Sequence, residues 1–272
     1  MPYKTIAVEL DSGQAEMRIA IAASLAMTDE SHVVGVMLAP GTLQAEPILK
    51  ESSQRNDFFR RAMDRPGVRS YETRTLQGDG ADALSLQGCY CDLMILGQDP
   101  GLGEPVSQHI DFVEYVVLNA GCPVLTIPGQ QMRIGSETGP ADLERHVGSH
   151  VMIGWNASRS AGRAVRDAMP ILVRAVKVHL AVINAGRMQG MHGEEPGADI
   201  ALYLARQGVN VEVLQLIVDE EPGETLLSFA DRLSCNLLVA GGMAHPYSRS
   251  FLMGGATRTL LQHAHLPVLM SH

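Results

Sequence analysis

The sequence predicts two α/β domains in tandem, each a doubly wound parallel sheet flanked by helices, on three observations. One pattern of segments occurs twice, about 144 residues apart. Short apolar runs alternate with helical patterns inside each copy. Aromatic residues make up only 4% of a chain whose hydrophobic fraction is 46%. A core built from Ala, Val, Leu, Ile and the 14 Met suits helices packed on a parallel sheet better than a β-sandwich.

The repeat is explicit in the residues. Cys91-Asp92-Leu93-Met94-Ile95-Leu96-Gly97 is echoed by Cys235-Asn236-Leu237-Leu238-Val239-Ala240-Gly241. Ala120-Gly121-Cys122-Pro123-Val124-Leu125 matches Ala264-His265-Leu266-Pro267-Val268-Leu269 at the same offset. Near the start of each copy, Ile6 to Asp11 resembles Val151 to Asn156, one residue further apart. A period this long is a duplicated domain and not a solenoid unit. The domains are expected at 1–128 and 149–272, with a linker at 129–148 rich in Gly, Pro and scattered charge.

In the second copy, Val151–Trp155 reads as a strand and Ser158–Val173 as an amphipathic helix. Val176–Ile183 is a second strand, and Gly197–Gln207 a helix stopped by Gly208. Val209–Val218, with β-branched residues in alternation, is a third strand. Pro222–Leu233 follows as a helix, Asn236–Ala240 as a strand, Gly255–His263 as a helix and Pro267–Met270 as the last strand. The first copy keeps this order, with a longer second helix around Ile48–Met63. In a sheet wound this way ligands bind at the carboxyl ends of the strands, so function is expected just after Trp155 and Ala240, or after Leu10 and Leu96.

A net charge of −9 and a pI near 5.5 exclude general affinity for nucleic acid or anionic membrane. Four cysteines, Cys89, Cys91, Cys122 and Cys235, are too few and too uneven for a disulfide framework. No apolar run is long enough to span a bilayer, and Met1-Pro2-Tyr3-Lys4-Thr5 runs into a strand without a leader, so a cytoplasmic location is expected.

The segment from Gly241 to Arg258 carries the chemistry. Glycines sit at the strand exit and again at Gly254-Gly255 before the next helix, where backbone N–H groups approach an anion and the helix dipole favours it. From Gly241 to His272 the only charged residues are Arg249 and Arg258. The frame Gly241-x2-Ala244-x9-Gly254-Gly255, the Pro-Val-Leu final strand and the opening Val151 to Arg159 resemble the universal stress proteins, whose loop here is Gly-x2-Gly-x9-Gly-[Ser/Thr]. The resemblance covers nearly the whole chain, twice, and implies five-stranded parallel sheets of the adenine nucleotide alpha hydrolase-like kind.

Members of that family that bind ATP hold its phosphates and ribose in this loop, and its adenosine with an Asp after strand one and a Val on strand two. The matching positions here are Asn156, Val182, Gly241, Ala244, Gly254 and Gly255, with Arg249 or Arg258 as compensating cations. Asn156 replaces the Asp, Ala244 a Gly, and Gly255 the Ser or Thr. The resemblance therefore implies ATP, with Mg, in the C-terminal domain as a regulatory switch. The alternatives are a nucleotide-free scaffold in which the pseudo-dimer recruits a protein, and a slow ATP hydrolase. No nucleophile elbow, Walker lysine or carboxylate pair stands out, so no catalytic residue is assigned.

The first copy reads Gly97-x2-Pro100-x9-Ile110-Asp111 and places an acid where the hydroxyl would be, so it is expected to bind no nucleotide although Asp11 keeps the strand-one acid. Gly78-x-Gly80-x-x-Ala83 is read as a helix entry rather than a dinucleotide fingerprint. His263 and His265 are not read as metal ligands, and no metal site is expected. His245, Tyr247, Met243 and Met253 flank the loop, and Trp155 either walls the pocket or joins the core. The last strands, Val124–Ile127 and Val268–Met270, are expected to pair within one chain as an internal dimer, with a homodimer left open.

Overall fold

In the computed structural model the described residues are 2–11, 13, 15–38, 46–65, 67–99, 106–129, 147–187, 195–242 and 255–272. They form one ten-stranded sheet in the order β3-β2-β1-β4-β5-β10-β9-β6-β7-β8. The first half contributes β1 (Thr5–Glu9), β2 (His32–Leu38), β3 (Ser70–Leu76), β4 (Leu93–Gly97) and β5 (Val124–Ile127). The second contributes β6 (His150–Gly154), β7 (Lys177–Ile183), β8 (Val211–Leu216), β9 (Leu237–Gly241) and β10 (Val268–Ser271). Pairing is parallel within each half. The single antiparallel ladder among the described residues joins β5 to β10 and sets Leu125 opposite Leu269. These two residues are equivalent in the repeat, so a pseudo-two-fold axis passes between them and the expected internal pairing is present.

The helices of the first half are α1 (Ala15–Asp29), α2 (Glu46–Met63), α3 (Gly80–Gly88) and α4 (Val106–Asn119). Those of the second are α5 (Arg159–Asp167), α6 (Met169–Leu172), α7 (Ala198–Arg206), α8 (Pro222–Arg232) and α9 (Gly255–His263). The sequence predicts one helix over Ser158–Val173, and the structure breaks it in two at Ala168. Pro170 is the cause: it lacks an N–H and its ring blocks the preceding turn, so the chain restarts with Pro in the first turn of α6. Ser158 caps α5 by accepting from Ala161 N at 3.1 Å. Asp79 caps α3 through Ala81 N and Asp82 N, which makes the Gly78–Ala83 segment a helix entry.

The strands are apolar on both sides because helices cover both faces. Ile6, Val8, Val151, Ile153, Leu237, Val239 and Leu269 face one core layer, and Ala7, Met152, Leu238, Ala240, Val268 and Met270 the other. Each layer runs through both halves. Polar contacts close the same seam: Arg174 Nη1 lies 2.5 Å from Asp29 Oδ1, and Tyr3 donates its hydroxyl to Asp167 O at 2.7 Å. The expected linker at 129–148 falls mostly outside the described residues. No helix among the described residues is long and apolar enough to cross a membrane.

Candidate functional site

β6 sits between β7 and β9, so the chain leaves it toward opposite sides of the sheet and a crevice opens where the strands end. A cavity of about 220 Å³ occupies that crevice. Its floor is Gly154, Ala181, Ile183 and Ala240 at the ends of β6, β7 and β9, with Trp155 and Asn156 on the β6 exit. Pro222 and Leu226 of α8 close one side; Gly255, Ala256, Thr257 and Leu260 of α9 close the other. No charged side chain is among these lining residues. Both helices enter the cavity by their N-termini, which places the positive ends of two dipoles at its mouth. On α8 that end is already capped: Glu221 accepts from Gly223 N at 2.7 Å and from Glu224 N at 3.1 Å.

The expected residues divide by position. Asn156, Gly241 and Gly255 come together at the cavity. Asn156 turns its Oδ1 to Ser158 N at 3.2 Å, bending the chain through Ala157 at φ +58° into the helix entry. Gly241 has a packing reason for being glycine. A Cβ there would lie 2.4 Å from Ala161 N and 2.7 Å from the Ser160 carbonyl carbon, so β9 touches the first turn of α5 only because the side chain is absent. Among the described residues, a Cβ on Gly255 would meet only Glu221 Oε1, at 3.8 Å. Ala244, Arg249 and Gly254, together with His245, Tyr247, Met243 and Met253, lie outside the described residues.

Two of the expected residues stand apart from these lining residues. Val182 is 1% exposed and its side chain belongs to the core layer of Leu180 and Val178, away from the cavity. Its neighbours Ala181 and Ile183 take the place at the wall, because successive side chains of a strand point to opposite faces. Arg258 is engaged elsewhere: Nη1 lies 2.9 Å from Glu114 Oε2 and Nη2 3.0 Å from Asp111 Oδ1, both on α4 of the first half. Asp111, read as an acid set against phosphate, is thus part of the seam between the halves.

At the corresponding end of the first half the described residues are bulkier. Phe112 stands where the second half has Ala256, and its ring reaches the same point as Leu38 beside Gly80, where an added Cβ would lie 3.4 Å from Phe112 Cε2 and 2.8 Å from Leu38 Cδ1. His109 stacks on Phe112 with ring centroids 5.8 Å apart and donates from Nε2 to Gly97 O at 3.1 Å, across the β4 exit. Around Asp11 the described residues are tied to one another. Asp11 accepts from Leu38 N, Arg55 donates to Asp11 O, and Arg18 pairs with Glu9 at 3.2 Å with both side chains buried. Burial, with Glu9 close by, pushes the Asp11 carboxyl up to about 6 against the opposing Leu38 N–H.

Sequence reasoning missed Ala181, Ile183, Pro222, Leu226, Ala256, Thr257 and Leu260. The helix members were available from the spacing: positions 255, 256, 257 and 260 are the first turn and a half of a helix entered through glycine. His263 and His265 are held by carboxylates, His263 Nδ1 2.6 Å from Glu224 Oε1 and His265 against Asp231. Among the described residues no group of three or more His, Cys, Asp or Glu could hold a metal.

Residues 149–272 match the model of the universal stress protein family. No curated protein sequence matches the chain. The fold is similar over 100% of this chain, and 96% of the other, to a universal stress protein from Archaeoglobus fulgidus DSM 4304, at 12% identity and a TM-score of 0.69. It is also similar to a functionally unknown protein from Pseudomonas aeruginosa PAO1, at 14% identity over 99% of this chain and 92% of that one, with a TM-score of 0.60. The second half of this chain therefore carries a domain that matches the universal stress protein family model, and its first half repeats the same α/β fold in tandem.

Proposed function

We propose that the chain is a cytoplasmic stress-response protein. In this reading its C-terminal unit, 149–272, binds ATP or a related adenine nucleotide with Mg as a regulatory switch. The first unit, 1–128, joined through 129–148, serves as its structural partner. One contrast carries this: the C-terminal crevice, lined among the described residues by no charged side chain, lies beneath two helix N-termini, while the first half has Phe112 in the place of Ala256. The apolar floor of Ala181, Ile183 and Ala240 suits a planar base, and Trp155 offers a ring beside it. Gly255, the first residue of α9, suits phosphate oxygens at the helix N-terminus.

A nucleotide-free scaffold is the second reading. It is favoured by two observations: Asn156 Oδ1 is occupied by Ser158 N, and Arg258 is engaged by the first half. Calorimetric titration of ATP with Mg²⁺ into the wild-type chain and an Ala256→Phe variant, which puts the first half's residue at that place, separates the two. Micromolar binding in the wild type and none in the variant, with unchanged circular dichroism, supports the switch. No heat and no thermal shift at millimolar nucleotide in the wild type leaves the scaffold.

A further inference from the structure

Cys91 and Cys122 precede the adjacent strands β4 and β5, whose register sets Met94 beside Val124. That register places the two residues side by side at the amino ends of the strands, far along the sheet from the crevices, and their Sγ atoms are 3.5 Å apart. Neither is committed to another covalent bond. Cys91 is half-buried and reaches solvent, whereas Cys122 is 6% exposed. The repeat supplies an internal control. Cys235 occupies the position of Cys91 in the second half, but Leu266 stands where Cys122 would be, so the second half has the cysteine without its partner.

The geometry points to Cys91 and Cys122 as an oxidisable thiol pair that closes into an intramolecular disulfide when it meets a peroxide. The Cys91 thiolate attacks one peroxide oxygen; the O–O bond breaks, and the departing hydroxide takes up a proton and leaves as water. Cys91 is then a sulfenic acid. The Cys122 sulfur attacks the Cys91 sulfur, the S–O bond breaks, and the hydroxyl leaves with the Cys122 proton as a second water. Two thiols are oxidised and one peroxide is reduced. The order of roles follows from exposure, and hydrogen bonding with Cys91 and burial push the Cys122 thiol up, so it waits as the resolving partner. Closure needs the sulfurs to approach from 3.5 Å to about 2.05 Å, a movement that side-chain rotation at the start of two short strands supplies. Cys89 is exposed, and its sulfur is drawn toward Ser85 O on the preceding turn at 4.0 Å.

The full-length chain is treated with stoichiometric hydrogen peroxide, acid-quenched, alkylated under denaturing conditions and mapped by peptide mass spectrometry. Of its four cysteines, two are expected to escape alkylation, joined as a Cys91–Cys122 peptide pair that dithiothreitol separates. Cys89→Ser retains the pair, and Cys91→Ser or Cys122→Ser abolishes it. The wild type and Cys89→Ser carry the test even if a Cys122 variant folds poorly. Four alkylated cysteines after peroxide, a bond that includes Cys89, or a bond between two chains would each overturn the assignment.

Discussion

Arg258 on α9 and Glu114 on α4 stand at equivalent places in the two repeats, 144 residues apart, and meet as an ion pair at 2.9 Å. They meet because the antiparallel pairing of Leu125 with Leu269 brings α4 and α9 together across the pseudo-two-fold axis. The pair is asymmetric, since the Glu114 side chain is 4% exposed and Arg258 32%. Removing the guanidinium takes a cationic partner from a buried carboxylate, and breaking a buried pair costs about 3–5 kcal/mol at a fully buried site. With Arg258 a third exposed, Arg258→Met is expected to cost about 1–3 kcal/mol in urea unfolding. Glu114→Gln should recover much of that in the double variant. Additivity of the two changes within about 0.5 kcal/mol would show that the pair is not coupled.

Asp11 and Asn156 occupy corresponding strand exits, and the difference between them is a pH prediction. The Asp11 carboxyl sits at about 6 in the fold against 3.8 for an unperturbed one. A carboxyl raised by folding takes up a proton on folding. Its contribution is therefore fully present below about pH 4 and is lost as pH rises through 6. Asp11→Asn, the residue the second half already uses, keeps an oxygen for Leu38 N without the charge. The melting temperature of the variant should gain on the wild type between pH 4 and 6 and hold that gain above it. A difference independent of pH would refute the assignment.

How much of this was legible in the sequence varied with how local the signal is. The duplication, the strand–helix order and the β5–β10 partnership stand in short segments such as Pro123-Val124-Leu125 and Pro267-Val268-Leu269, where spacing alone suffices. The face of β7 was not legible. In the run Val178 to Ile183 both faces are apolar, so nothing in the residues says that Ala181 and Ile183, and not Val182, meet the cavity. The pairing of Arg258 was hidden for another reason. Its partners lie in the other repeat, and only the pseudo-two-fold places them within reach. Phe112 was readable in principle, as the large residue aligned with Ala256.

Gly241 is fixed by contact rather than by φ. A methyl there would press on the backbone of Ser160 and Ala161, which cannot move without shifting α5 off β9. Gly241→Ala is expected to lower stability by about 1–3 kcal/mol in denaturant, whether or not nucleotide is present. Gly78→Ala is the contrasting case. It has no neighbour within 4 Å among the described residues but sits at φ +102°, so its penalty is conformational. An unaltered midpoint for Gly241→Ala would mean that α5 yields freely.

Gly255 is the position where the family motif can be restored. The resemblance places a Ser or Thr there, and among the described residues the nearest atom to an added Cβ is Glu221 Oε1, at 3.8 Å. A hydrogen bond to a charged group is worth about 1.5–3 kcal/mol, and part of that is spent holding a new hydroxyl beside the Glu221 carboxylate. Gly255→Ser should therefore tighten ATP binding by about tenfold, which corresponds to about 1.4 kcal/mol, with little change in melting temperature in the absence of ligand. Combined with Glu221→Gln, which removes the competing charge but retains an acceptor for Gly223 N, the gain should increase. Affinity unchanged by Gly255→Ser, measured by the same titration, would place the phosphates away from the first turn of α9.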